Sequence, residues 1–311
     1  MNASKNRPRW HQLPPLIRAA IERLIGGTVV HARNCPGGYS PGFASVLSLA
    51  DGRRVFVKAI DADRWSFDAA YYRVEAKVSA ALPATIAAPR LLGTFDNDHW
   101  TVLAFEAVEG IEPPQPWRDS DLNRVVAAVI HLGQVGTPSP IALARDHPRL
   151  GGWAAVAGNP DYLAQLARHS TWAVDHLPGL IGLERAGLAA AQGDSLVHFG
   201  LAPHNVLLTP DRVIFVDWPG ARLGAPVIDL ITVLASAAAG QIDRESVLDN
   251  YYPRARFKPE IVDAILAAHT GFLLLGGISP KPPGLKPIQL IELELGLCAL
   301  AWLQHRLARR S

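Results

Sequence analysis

The chain has 311 residues, 49% of them hydrophobic and 19% charged, which excludes a disordered polymer and fits one or two packed domains. Thirty Lys and Arg against 28 Asp and Glu give a net charge of +2 with no dense basic block, which argues against a nucleic-acid-wrapping protein. Cys35 and Cys298, near opposite ends of the chain, make neither a disulfide framework nor a zinc cluster and suit a reducing compartment. The basic first residues are not followed by an apolar leader core. Asp229 interrupts the apolar window 227–240, and Glu292 and Glu294 interrupt 287–303, so both read as buried helices and a cytoplasmic protein without a membrane span is expected.

Leu16, Ile17, Ala20, Ile21, Leu24 and Ile25 recur at helical spacing between Pro14-Pro15 and Gly26-Gly27, a proline start and a glycine stop. Residues 28–33, 43–50 and 54–60 are short β-branched or aromatic runs. They are separated by Pro36-Gly37-Gly38 and by Asp51-Gly52, the latter a strong hairpin signal. Residues 66–82 return to helical spacing, with an apolar stripe of Phe67, Ala70, Tyr71, Val74, Val78 and Leu82. Strands are expected again at 91–95 and 100–105. A proline-rich stretch from Glu109 to Trp117 then marks a boundary. Beyond it the pattern is helical at 119–134, 161–175, 183–192, 226–239, 243–250, 260–275 and 287–308, with a β island from Leu196 to Asp217. The expected class is α+β: a small antiparallel-sheet lobe over 1–108 and a mainly helical lobe over 109–311.

Within the island, the apolar runs 206–208 and 213–216 flank Thr209-Pro210-Asp211-Arg212 and predict a hairpin. Such a hairpin brings Asn205 beside Asp217. Two oxygen-bearing side chains there either hold a hard cation such as Mg2+ or simply terminate two strands. Lys58 lies in the apolar run Val-Phe-Val-Lys-Ala-Ile, where its ammonium either pairs with Glu75 on the following helix or snorkels from an edge strand. The loop Gly37-Gly38-Tyr39-Ser40-Pro41-Gly42 either cradles an anion with its amides or is an ordinary turn.

Taken in order, these features resemble the aminoglycoside phosphotransferase family, relatives of choline kinase with a protein kinase-like bilobal fold. The order is a Gly-rich β-loop, a strand Lys, a helix Glu, the hinge Phe105-Glu-Ala-Val-Glu-Gly110, the loop from His198 to Asn205, Phe215-Val-Asp217-Trp, and Gly224-Ala-Pro-Val-Ile-Asp229. The resemblance implies an ATP- or GTP-dependent, Mg2+-dependent transfer of the γ-phosphate to a hydroxyl of a small molecule. It puts the catalytic-loop and metal segment at 195–230. Lys58, oriented by Glu75, would hold the α- and β-phosphates, with Gly38 and Ser40 in the loop above them. Phe105, Glu106 and Val108 would meet the base, Asn205 and Asp217 would hold the metal, and Asp229 would brace the catalytic loop.

The family loop reads His-Gly-Asp-x-His-Pro-x-Asn or close to it. Here it reads His198-Phe199-Gly200-Leu201-Ala202-Pro203-His204-Asn205. Asn205 and His198 are in register, but Gly200 stands where the catalytic Asp belongs and Ala202 where a basic residue often faces the γ-phosphate. General-base groups contribute about 10²–10⁴-fold. The chain is therefore expected to be a slow or variant phosphotransferase, one that uses another base such as His204 or a carboxylate from elsewhere, or a nucleotide-binding pseudokinase, and a metal hydrolase on His198, His204 and Asp217 is a further reading. A cationic acceptor would draw on Asp243, Glu245, Glu260, Asp263, Glu292 and Glu294, or on an aromatic cage of Tyr251, Tyr252 and Trp302, three residues that core packing explains better. A monomer or homodimer is expected.

Overall fold

The structure, a computed structural model, describes residues 7–35, 37, 40–237, 242–251, 258–281 and 286–310. The chain divides into two compact units, Met1–Glu112 with His204–Gly220, and Pro113–Pro203 with Ala221–Ser311. A 17-residue stretch from the middle of the chain thus joins the first unit.

The first unit opens with α1 (Pro15–Ile25), which buries Ile17, Ala20, Ile21 and Ile25. Gly26 ends it at φ 62, and Arg53 donates hydrogen bonds to the carbonyls of Ile25 and Gly26 left open at its C-terminus. Strands β1 (Val29–Asn34), β2 (Phe43–Leu49), β3 (Arg54–Asp61), β4 (Leu91–Asp96) and β5 (Trp100–Glu106) form one antiparallel sheet in the order β1-β2-β3-β5-β4. The two-residue period of β5 divides the core. Val102 and Ala104 pack with α1, whereas Leu103 and Phe105 pack with Ala69 and Tyr72 of α2 (Ser66–Ala81).

Helix α2 forms where its spacing predicts, but turned about its axis. Its buried residues are Ala69, Tyr72, Glu75, Val78 and Ser79, while Phe67 is 72% exposed and Tyr71 and Val74 face outward with it. The side facing the sheet carries a carboxylate that meets Lys58 of β3, so of the apolar stripe read from the sequence only Val78 is fully buried.

Of the later strands, β6 (Ser195–Val197) and β9 (Arg222–Gly224) pair in the second unit, a ladder too short to signal itself in the sequence. β7 (Val206–Leu208) and β8 (Val213–Phe215) form the expected hairpin in the first unit. The hairpin is tied there by paired backbone bonds between Ile111 and Leu208 and by the Phe215 amide donating to the Ala87 carbonyl.

The second unit is built from α3 (Asp119–Val135), α4 (Trp153–Ala157), α5 (Pro160–His169), α6 (Thr171–Asp175), α7 (Leu177–Ala190), α8 (Val227–Ala235), α9 (Arg244–Tyr251), α10 (Pro259–Ile278) and α11 (Lys286–Ala308). The helix expected over 161–175 breaks at Ser170, whose hydroxyl caps the next helix by accepting from the Ala173 amide. By length and composition α10 is apolar enough to cross a membrane, but it is largely buried, packed between α7 and α11. Its contacts are tight enough to require glycine: a Cβ on Gly187 would lie 2.1 Å from the Ala264 carbonyl oxygen, and one on Gly277 2.6 Å from the Leu293 Cα.

Candidate functional site

The first unit gathers most of the predicted residues around one ammonium. Lys58, paired across the sheet with Ala44 and Leu103, donates from Nζ to Glu75 Oε2 at 2.6 Å and to Asp217 Oδ1 at 2.7 Å. Its side chain is 13% exposed, that of Glu75 4% and that of Asp217 44%, so the network runs from buried to open at its Asp217 end. Lys58 is therefore not an edge-strand snorkeller. Burial opposes its charge, but Asp217 and Glu75 outweigh that and hold the ammonium well above its ordinary range. Burial pushes Glu75 up to about 7, with Lys58 opposing the rise and Asp217 adding to it. The Tyr72 ring lies 5.0 Å from Nζ, and its hydroxyl is 2.9 Å from Ser40 Oγ, which also accepts from the Gly42 amide.

Asp217 follows β8 with φ 68, the left-handed region that Asp tolerates better than most side chains. Val206 pairs with Phe215, and the Val216 amide donates to the Asn205 carbonyl at 3.0 Å, so Asn205 and Asp217 stand at the same open end of the hairpin. A buried amide and a half-open carboxylate offer oxygen donors that fit a hard divalent cation taking its remaining ligands from water or phosphate. Among the described residues no three His, Cys, Asp or Glu side chains form a metal-holding group, so the hydrolase reading finds no such cluster to rest on.

Phe105 and Glu106 end β5, where the Glu106 amide donates to the Arg90 carbonyl, and Val108 follows on the half-buried stretch toward Ile111. Gly38 lies outside the described residues. Sequence reasoning missed Arg7. Its buried guanidinium donates to the Gly37 carbonyl at 2.6 Å and lies within electrostatic reach of Tyr72 and Asp217. An arginine in a polar leader carries no motif that could have announced this contact.

His198 and Gly200 belong to the second unit. Asp229, at the start of α8 and 2% exposed, accepts the amides of His198 at 2.7 Å and Phe199 at 2.9 Å. Burial pushes this carboxyl up to about 7 even though both amides and Arg149 pull it down. The brace holds Phe199 at φ 63, a conformation an aromatic residue adopts at a cost of about 1 kcal/mol or more. Gly200 itself is not left-handed. A Cβ there would meet the Arg149 guanidinium, with Nη1 at 2.3 Å.

The carboxylates considered for a cationic acceptor are engaged elsewhere. Asp263 and Glu245 pair with Arg306, Asp263 and Glu260 with Arg310, and Glu292 with Lys281, while Asp243 accepts the first amides of α9. Glu294 is exposed. Trp302 is 3% exposed, donates to Glu245 and is flanked by Arg244 and Arg306, so it packs rather than cages. Tyr252 and the Tyr251 side chain lie outside the described residues.

No curated protein matches the chain. A choline/ethanolamine kinase family protein from Mesorhizobium loti superposes with a TM-score of 0.59 at 16% identity, covering 94% of this chain and 97% of its own. A thermostable mutant of the aminoglycoside phosphotransferase APH(4)-Ia, in ternary complex with ADP and hygromycin B, gives 0.59 at 14%, with coverage of 93% and 97%. The apoenzyme of a macrolide 2'-phosphotransferase from Brachybacterium faecium gives 0.50 at 17%, with coverage of 90% and 96%. These likenesses establish a kinase-like fold. A family model described as "Phosphotransferase enzyme family" matches residues 34–264, most of the chain, including Lys58, Glu75, Gly200, Asn205, Asp217 and Asp229, and the chain belongs to that family.

Proposed function

We propose that the chain binds ATP or GTP with Mg2+ and transfers the γ-phosphate to a small-molecule acceptor. The observation that carries this reading is Lys58, a nearly buried ammonium gripped by Glu75 and by the half-exposed Asp217. An ion pair that deep is expensive to desolvate, and a well-packed apolar pair would hold the fold as well. A phosphate-binding role accounts for its presence. Phosphoryl transfer needs mainly positioning and charge, which Lys58 would give to the α- and β-phosphates while Glu75 fixes its direction. Asn205 and Asp217 would hold the metal, which when bound neutralises charge on the phosphate oxygens. Phe105, Glu106 and Val108 would receive the base, with Ser40 and Gly38 over the phosphates. The neighbour crystallised with ADP and hygromycin B supports a nucleotide donor and a small-molecule acceptor.

A second reading, nucleotide binding without turnover, is favoured by one observation: position 200 carries no side chain to take a proton. Two measurements test the pair. Mg·ATP or Mg·GTP at 100 times Kd should stabilise the chain by about 2.7 kcal/mol. No shift with either nucleotide at millimolar concentration would overturn both readings. Acceptor-dependent release of ADP or GDP then separates them, since turnover contradicts the pseudokinase and its absence across hydroxyl, carboxylate and phosphate acceptors contradicts the transferase.

A further inference from the structure

The space beside Gly200 is not empty. Arg149 comes from the loop between α3 and α4, and its Nη1 donates to the Phe199 carbonyl at 3.0 Å. A Cβ on Gly200 would stand 2.3 Å from that Nη1, 3.4 Å from Cζ and 3.6 Å from His198 Nδ1. A guanidinium therefore fills the volume in which a side chain at position 200 would begin.

The loop that delivers it is anchored on both sides. Before Arg149, the His147 ring stacks on Phe199 with centroids 5.3 Å apart and planes within 5°, and its Nε2 lies 2.9 Å from the Leu223 carbonyl oxygen. After it, the Gly151 amide donates to the Ala268 carbonyl at 2.8 Å, and the Trp153 amide donates to Glu184 at 2.7 Å. The buried His269 imidazole lies within electrostatic reach of Arg149. Among the described residues the guanidinium has no carboxylate partner and makes one hydrogen bond, although it carries five N–H donors. The nearby carboxylate, Asp229, is turned to the His198 and Phe199 amides.

We infer that Arg149 selects the acceptor, holding an oxyanion, a carboxylate or a phosphate, beside Gly200. This rests on the phosphotransferase reading and gives its acceptor a chemical class. A hydroxyl acceptor must lose a proton, and a guanidinium cannot take it. A carboxylate or phosphate oxygen is already ionised at neutral pH, and arginine binds either one bidentately. The transfer then balances without a base. The bond from the γ-phosphorus to the bridging oxygen breaks, its electron pair stays on the leaving nucleoside diphosphate, and a bond forms from the acceptor oxygen to phosphorus. A carboxylate yields an acyl phosphate and a phosphate yields a phosphoanhydride, with no proton moved. Glycine at position 200 leaves room for the guanidinium, whereas a carboxylate there would pair with it.

Anion binding is read by thermal shift with inorganic phosphate and with acetate at constant ionic strength. The chains compared are the unaltered protein, Arg149→Gln, Arg149→Lys and the doubly neutral Lys58→Met/Glu75→Gln. We expect a saturable shift with at least one anion whose midpoint rises tenfold or more in Arg149→Gln, recovers in part in Arg149→Lys, and is unchanged when Lys58 is neutral. A shift that follows Lys58 instead of Arg149, or no shift with either anion, overturns the inference. The Mg·ATP shift, expected unchanged in Arg149→Gln, shows that this variant is folded and reports separately on the nucleotide reading. In the unaltered protein with Mg·ATP, hydroxylamine trapping identifies carboxylate acceptors as hydroxamates, while a phosphate acceptor gives nucleoside diphosphate release without trapping. Turnover confined to neutral hydroxyls contradicts the inference.

Discussion

The Lys58 network and the loop around Gly200 treat charge in opposite ways. In the first, one cation is held between two carboxylates, and the whole set sits on or beside one sheet. In the second, the carboxylate position is a glycine and the nearest charge is the Arg149 guanidinium. On the proposed reading, the difference teaches that a chain can keep the charges that would grip a polyphosphate while changing the group that would activate an acceptor. Phosphoryl transfer separates those tasks more cleanly than most chemistry, because holding and neutralising do most of the work.

The sharpest way to break the comparison is to remove the ammonium. Lys58→Met leaves Glu75 buried without its partner and should cost about 3–5 kcal/mol in urea unfolding. Adding Glu75→Gln should return a large part of that. A double variant that loses as much as the two single variants added together would mean that the pair is not coupled. Next comes His269, beneath the Arg149 loop, which burial pushes down to about 4. Its folded value lies below the ordinary 6.5, so the stability it contributes is present above about pH 6.5 and is lost as pH falls toward 4. Between pH 7.5 and 4.5 the protein should lose about 2–3 kcal/mol more than His269→Gln. Identical pH profiles would show the imidazole to be protonated freely in the fold.

Asp229→Asn should cost about 2 kcal/mol, since an amide cannot accept from both the His198 and Phe199 N–H groups without setting its own NH2 against one of them. A neutral result would mean that the loop is held by its other contacts. The smallest effect is expected on the outer face of α2. Phe67→Ser should change stability by less than about 0.5 kcal/mol, because the side chain is 72% exposed. A loss of 2 kcal/mol would show that this face is covered in solution.

That last prediction marks where sequence reasoning failed. Strands and turns were legible wherever period and turn chemistry agreed, as at Asp51-Gly52 and at the 206–215 hairpin. The side of α2 was not legible, because hydrophobic periodicity assumes an apolar partner and this helix is oriented by a buried charge on Glu75. The neighbouring positions of Lys58, Glu75, Asn205 and Asp217 were readable through the family resemblance that their order along the chain carries. Arg149 and Arg7 were not. Each reaches its place through a contact with a residue 50 or 30 positions away, from a segment with no periodic pattern.

The central claim is that the retained charges still hold a nucleotide and its metal, and isothermal titration of ATP with and without Mg2+ into the unaltered protein and Asp217→Ala tests it most directly. The account predicts one-to-one binding that magnesium strengthens in the unaltered protein and strengthens far less in Asp217→Ala. The absence of binding at millimolar ATP, or a magnesium effect of equal size in both chains, would contradict it.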